Sequence, residues 1–87
     1  MRVSVVLVVY NQLALTQACL ASLDRSTTPF ELCVVDNASS DGTEAFFRDR
    51  RGSVPLRYQR NPDNVGLIRA LNQGARLATG DILCFLH

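Results

Sequence analysis

The sequence predicts an α/β fold in which four parallel strands alternate with three helices. Short apolar runs recur along the 87 residues, and segments with helical spacing separate them. The order is therefore β-α-β-α-β-α-β. Right-handed crossovers between parallel strands place helices on both faces, giving a three-layer, Rossmann-like, doubly wound sheet.

Val3 to Val9 (VSVVLVV) is β-branched and almost continuously apolar, as a strand covered on both faces requires. Leu13 to Asp24 carries Leu15, Cys19 and Leu23 at helical spacing, and Thr27-Thr28-Pro29 ends it. Glu31 to Val35 is the second strand. Gly42 to Arg50, with Phe46 and Phe47, reads as a short helix that Gly52 breaks. Val54 to Tyr58 is a third, weaker strand. Leu67 to Ala78 is the cleanest helix. Leu67, Ile68, Ala70, Leu71, Gly74, Ala75, Leu77 and Ala78 lie on its apolar half, and Gly80 is placed as its C-terminal stop. Ile82 to Leu86 is the fourth strand.

Composition excludes several classes of function. Nine arginines balance eight acids, and Arg48-Asp49-Arg50-Arg51 is the longest charge run, so no nucleic-acid footprint is present. The absence of lysine excludes lysine-dependent catalysis and the P-loop. Tyr10-Asn11-Gln12-Leu13 follows the first strand without a glycine, which disfavours a dinucleotide fingerprint. Cys19, Cys33 and Cys84 read as small buried hydrophobes of a reducing compartment. Val3 to Val9 is too short to span a bilayer, so the chain reads as cytoplasmic.

Three polar loops should share the carboxyl edge of the sheet and converge on one crevice. They are Tyr10-Asn11, Asp36-Asn37-Ala38-Ser39-Ser40-Asp41-Gly42-Thr43 and Asn64-Val65-Gly66. Asp36 is suited to accept charge-assisted bonds from a ligand, or to hold an Asx-turn. Asp41-x-x-Glu44 has the spacing of a capping box, which makes Asp41 a helix starter. Tyr10 either frames a ligand or packs on the first helix. Asn64 bonds either its own loop or a ligand. Gly66 provides a backbone conformation or a close approach that a side chain would obstruct.

VSVVLVVYN, VVDNASSDGT and NVGLIRALNQGARLATGDILCFL together resemble the amino-terminal, nucleotide-binding portion of family-two glycosyltransferases, which have the GT-A fold. The resemblance implies strand order 3-2-1-4 and a GT-A domain of which residues 1–87 are the amino-terminal part. It assigns nucleotide binding to Tyr10, Asn11, Asp36, Asn64 and Gly66, with Asp36 receiving the base or ribose. No residue here is assigned to catalysis or to a metal. The family's Asp-x-Asp metal motif falls at about position 87, where this sequence has His87.

For the full-length protein the resemblance implies sugar transfer from a nucleoside diphosphate (UDP or dTDP type) to a saccharide or lipid-linked acceptor hydroxyl, with inversion. It also implies Mg2+ or Mn2+, neither bound by this portion alone, and a cytoplasmic location or the inner face of the membrane. The other reading is a non-catalytic nucleotide-binding or structural half-domain. In that reading the chain self-associates through its last strand, which carries no charge or proline to blunt its edge.

Overall fold

Val3–Val9 forms β1 at the centre of the sheet, and its side chains are buried or half-buried throughout. The computed structural model describes residues 2–50, 52 and 54–86, so His87 lies outside the described residues. After β1 come α1 (Leu13–Asp24), β2 (Phe30–Asp36), α2 (Thr43–Asp49), β3 (Leu56–Arg60), α3 (Leu67–Leu77) and β4 (Ile82–Leu86). The sheet order is β3-β2-β1-β4 and every pairing is parallel, as expected.

Alternation along β1 and β2 divides the core between two faces. Val5, Leu7 and Val9, with Leu32 and Val34, pack against Leu20 of α1 and Phe47 of α2. Val6 and Val35 face α3, which reaches them through Ala70 and Gly74, its only buried residues among those described. A Cβ at Gly74 would land inside the Val6 side chain. Close approach by small residues, rather than insertion of large ones, seats this helix.

Several expectations are corrected. In α1, Cys19 and Leu23 pack half-buried against the core as the stripe requires, but Leu15 is 66% exposed and the fully buried residues are Thr16 and Leu20. The helix is entered through Asn11 and Gln12, both in left-handed backbone conformations (φ 53 and 56°), so its first turn is set by this entry as well as by apolar spacing. In α3, Leu67 and Ile68 are exposed in the first turn, which follows directly on Gly66, a residue tied to the second loop through Asn37. β3 runs two residues further than the apolar pattern suggests, because Gln59 and Arg60 continue the ladder opposite Val35 and Asp36. Of the cysteines, Cys33 is buried and Cys19 half-buried, but Cys84 is exposed on the edge strand.

At the amino edge of the sheet a buried carboxylate ties α3 and β4 to the centre. Glu31 Oε2 accepts bonds from the Ser4 hydroxyl, from Thr79 N at 2.6 Å and from Thr79 Oγ1 at 2.9 Å. Arg57 Nε lies 3.5 Å from Oε1. The Ser4 hydroxyl, then the Thr79 N–H, hold the Glu31 carboxyl down at about 2 from its ordinary 4.5. A depressed folded pKa stabilises the fold above the unfolded value, and that contribution is lost as pH falls through the folded one. Wild-type stability should therefore fall more steeply from pH 4.5 to about 2 than that of Glu31→Gln, measured by urea denaturation. Equal slopes for the two proteins would contradict the assignment.

Candidate functional site

The three polar loops meet at the carboxyl edge, and side chains join them. Between the first and second loops, Asn11 N donates to Ser39 Oγ at 2.7 Å, and Ser40 N donates to Asn11 Oδ1 at 2.8 Å. Between the second and third, Asn37 Nδ2 donates to Gly66 O at 3.2 Å. Asn61 Nδ2 bridges Asn37 Oδ1 at 2.9 Å and Gln73 Oε1 at 2.8 Å, which anchors both loops to α3. The crevice is thus one bonded surface.

Asp36, the last residue of β2, is wholly buried. Its Oδ1 accepts Ser39 N at 2.9 Å, the Asx-type contact that folds the second loop back. Its Oδ2 accepts the Tyr58 hydroxyl at 2.5 Å, and Arg60 Nη1 approaches it at 3.5 Å. Arg60 also donates to Ser39 O at 2.9 Å, and its Nε lies 3.6 Å from Glu44. Burial, followed by the hydrogen bond to Asp36, pushes the Tyr58 phenol well above its usual range. Tyr58 is therefore a permanent donor at neutral pH.

Asp41 starts two helices, although not through a capping box. Its Oδ1 accepts Thr43 N at 3.2 Å and Thr43 Oγ1 at 2.6 Å, and its Oδ2 accepts Leu13 N at 3.0 Å. These bonds, that of the Thr43 side chain first, lower its pKa. Glu44 turns instead toward Arg60.

The remaining predicted residues lie on the rim. Tyr10 is 51% exposed and, with Asn11, Gln12, Leu15 and Leu86, lines a groove of about 340 Å³. Asn64 is exposed and its Oδ1 accepts Gly66 N at 2.9 Å, a bond within its own loop. Gly66 has φ 87°, and a Cβ there would meet nothing within 4 Å, so conformation rather than space calls for glycine. A second cavity, about 390 Å³, lies at the opposite edge beside Arg2, Asp24 and Glu31. It is lined mainly by the Ser26-Thr27-Thr28 loop and by Pro29, Val54 and Pro55. It lies away from the carboxyl ends of the strands, where α/β sheets of this kind place their ligands, so the carboxyl edge remains the candidate site.

Sequence reasoning missed Asn37, Ser39, Tyr58, Arg60, Asn61 and Gln73. The available signal was parity: Asp36, Tyr58 and Arg60 fall on one face of the sheet, with Arg60 opposite Asp36 in register. Among the described residues, no group of three or more His, Cys, Asp or Glu side chains is placed to hold a metal ion. Asp36 and Asp41 are engaged by Tyr58, Ser39, Thr43 and Leu13, so they do not fit such an ion. No helix among the described residues is long and apolar enough to cross a membrane.

The description "Glycosyl transferase family 2" belongs to the family model that matches residues 4–87. The uncharacterized glycosyltransferase YfnE of Bacillus subtilis is 36% identical, aligned over 98% of this chain and 22% of its own length. Validoxylamine A glucosyltransferase of Streptomyces hygroscopicus is 37% identical over 95% of this chain and 21% of its own. Among solved structures, mannosyltransferase PcManGT from Pyrobaculum calidifontis, in complex with GDP-Man and Mn2+, aligns with TM-score 0.86 and 32% identity. That match covers 94% of this chain and 26% of PcManGT. S. aureus TarS in complex with UDP-GlcNAc aligns with TM-score 0.90 and 28% identity over 99% of this chain and 26% of its own. The chain therefore spans about a quarter or less of the length of these relatives.

The geometry around Asp36 predicts the effect of removing one hydroxyl. Tyr58→Phe keeps the ring stacked on Phe47 but takes the shortest donor from a buried carboxylate. Urea denaturation should show a loss of about 1–3 kcal/mol. An unchanged midpoint would mean that the Tyr58–Asp36 bond does not hold the second loop.

Proposed function

Because the chain belongs to glycosyl transferase family 2, we propose that it supplies the nucleotide-binding part of an enzyme that transfers a sugar from a nucleoside diphosphate to an acceptor hydroxyl, with inversion. One observation carries the reading: three polar loops joined by Asn11, Asn37, Ser39 and Asn61 into a single crevice at the carboxyl edge. The nucleotide sugars bound in two aligned structures, GDP-Man in PcManGT and UDP-GlcNAc in TarS, support it. A UDP or dTDP donor and a saccharide or lipid-linked acceptor complete the proposal. In the longer protein Mg2+ or Mn2+ would neutralise charge on the diphosphate. Its ligands would be supplied from outside the described residues, among which no three His, Cys, Asp or Glu side chains gather.

Tyr10, Asn11, Asn64 and Gly66 form the rim of the proposed donor pocket, and Asp36 its charged acceptor. Arg60 is the most loosely held of the groups covering Asp36: its approach is 3.5 Å and its side chain is 31% exposed. Swinging it aside gives up its 2.9 Å bond to Ser39 O and opens room at Oδ2, beside the Tyr58 hydroxyl, for an N–H or O–H donor of the base or ribose. In the full-length protein, Asp36→Asn should weaken donor binding by about 1.5–3 kcal/mol in calorimetry, as loss of a charge-assisted bond does. Equal affinity for the two proteins would remove Asp36 from the pocket.

A second reading is favoured by the bare fourth strand. Ile82, Leu83 and Phe85 are 40%, 39% and 48% exposed, and among the described residues β4 has a sheet partner only on its β1 side. An apolar edge of this kind templates pairing with another chain, so the piece would act as a self-associating half-domain. Light scattering over a concentration series should show a dimer or larger species. A strict monomer at high concentration would exclude it.

A further inference from the structure

The side chains of β4 say little about where the strand should sit. Its five residues, Ile-Leu-Cys-Phe-Leu, are all apolar, so a slip of one position exchanges one apolar face for another. Neither face is deeply buried. Register is strongly specified where a buried face opposes a solvated one, and that contrast is missing here. Yet β4 occupies one register, with Leu83 opposite Ser4 and Leu86 opposite Leu7.

The holding device lies in the turn before the strand. Glu31 on β2 and Ser4 on β1 are register partners, and both contact the turn that leads from α3 into β4. Glu31 Oε2 takes the N–H and the hydroxyl of Thr79, and Ser4 Oγ takes Gly80 N at 2.9 Å. Arg2 O then accepts Asp81 N at 2.9 Å. A two-residue slip would carry Thr79 about 6.6 Å along the sheet and strip donors from a buried carboxylate. Independently, a Cβ at position 80 would lie 2.6 Å from Ser4 Oγ and 2.8 Å from Arg2 O. Only glycine fits that slot, and a one-residue slip brings Thr79 or Asp81 into it, a two-residue slip Ala78 or Ile82.

We propose that Glu31, Ser4, Thr79 and Gly80 form a register lock for β4, and that Glu31 is a positioning residue for the candidate site at the far edge of the sheet. The path between them is short. Leu86 walls the groove that Tyr10 and Asn11 line, and a forward slip of two residues puts Cys84 in its place opposite Leu7. The lock holds whether or not a nucleotide binds, so its failure and the failure of the donor reading are separate results.

The test is nuclear magnetic resonance on this chain, which reads register from amide contacts between Val3–Val9 and Ile82–Leu86, and local stability from amide exchange. Wild type should show one register, with Cys84 opposite Val5. Glu31→Ala and Gly80→Ala should lose or divide those contacts while the β1–β2 contacts persist. Exchange in β4 should then quicken about tenfold or more relative to β1 and β2, as sub-global opening does. Glu31→Gln keeps an accepting oxygen and should restore the single register. Should Glu31→Ala fail to fold, Thr79→Val removes one donor and should give the same selective loosening, to a smaller extent. A single register in these variants, with β4 exchange changing only in step with β1 and β2, would overturn the lock.

Discussion

Asp36 ends β2 with its carboxylate out of water and with every nearby loop arranged around it. Its Oδ1 bends the second loop back through Ser39, its Oδ2 draws in Tyr58 and Arg60 from β3, and its carbonyl accepts Asn61 N at 2.8 Å. A carboxylate is stable away from water only when such donors surround it. Here the carboxylate's donors come from the second loop and from the neighbouring strand, and the segment after β3 bonds the carbonyl. Placing the charge therefore also places the crevice wall. The bond from Asn11 to Ser39 extends the arrangement to β1.

β2 carries a second buried carboxylate, Glu31, at its other end. Positions 31 and 36 differ by an odd number, so the pleat sends the two side chains to opposite faces. Glu31 gathers the end of α3 and the start of β4, whereas Asp36 gathers the second loop and β3. The central strands are otherwise apolar, and hydrophobic contact alone is non-directional. The two charges supply the directional constraints, one for each edge and each face of the sheet.

The order and type of all seven elements were legible in the sequence, because long apolar runs and the α3 periodicity leave few alternatives. Boundaries and faces were less so. Leu15 and Leu67 look like core residues by spacing but are exposed at the starts of their helices, and α1 is entered through two left-handed residues that periodicity does not report. The convergence of three loops could be read from topology alone. The bonds that join them could not, since Asn37–Asn61–Gln73 contacts bring together residues far apart in sequence. Glu31 was absorbed into an apolar run and its role went unseen. Only the register with Ser4 and the return of Thr79 reveal it.

Gly66 and Gly74 illustrate two kinds of intolerance. At Gly74 the obstacle is another side chain, Val6, so trimming that neighbour would make room for a methyl group. At Gly66 nothing stands in the way, and the obstacle is the backbone angle itself. A change at 74 can thus be suppressed by a second change across the sheet, and the two sites will show strong coupling. A change at 66 has no such compensating partner. In the history of this chain, position 74 can drift in concert with position 6, while position 66 can be repaired only by reversion.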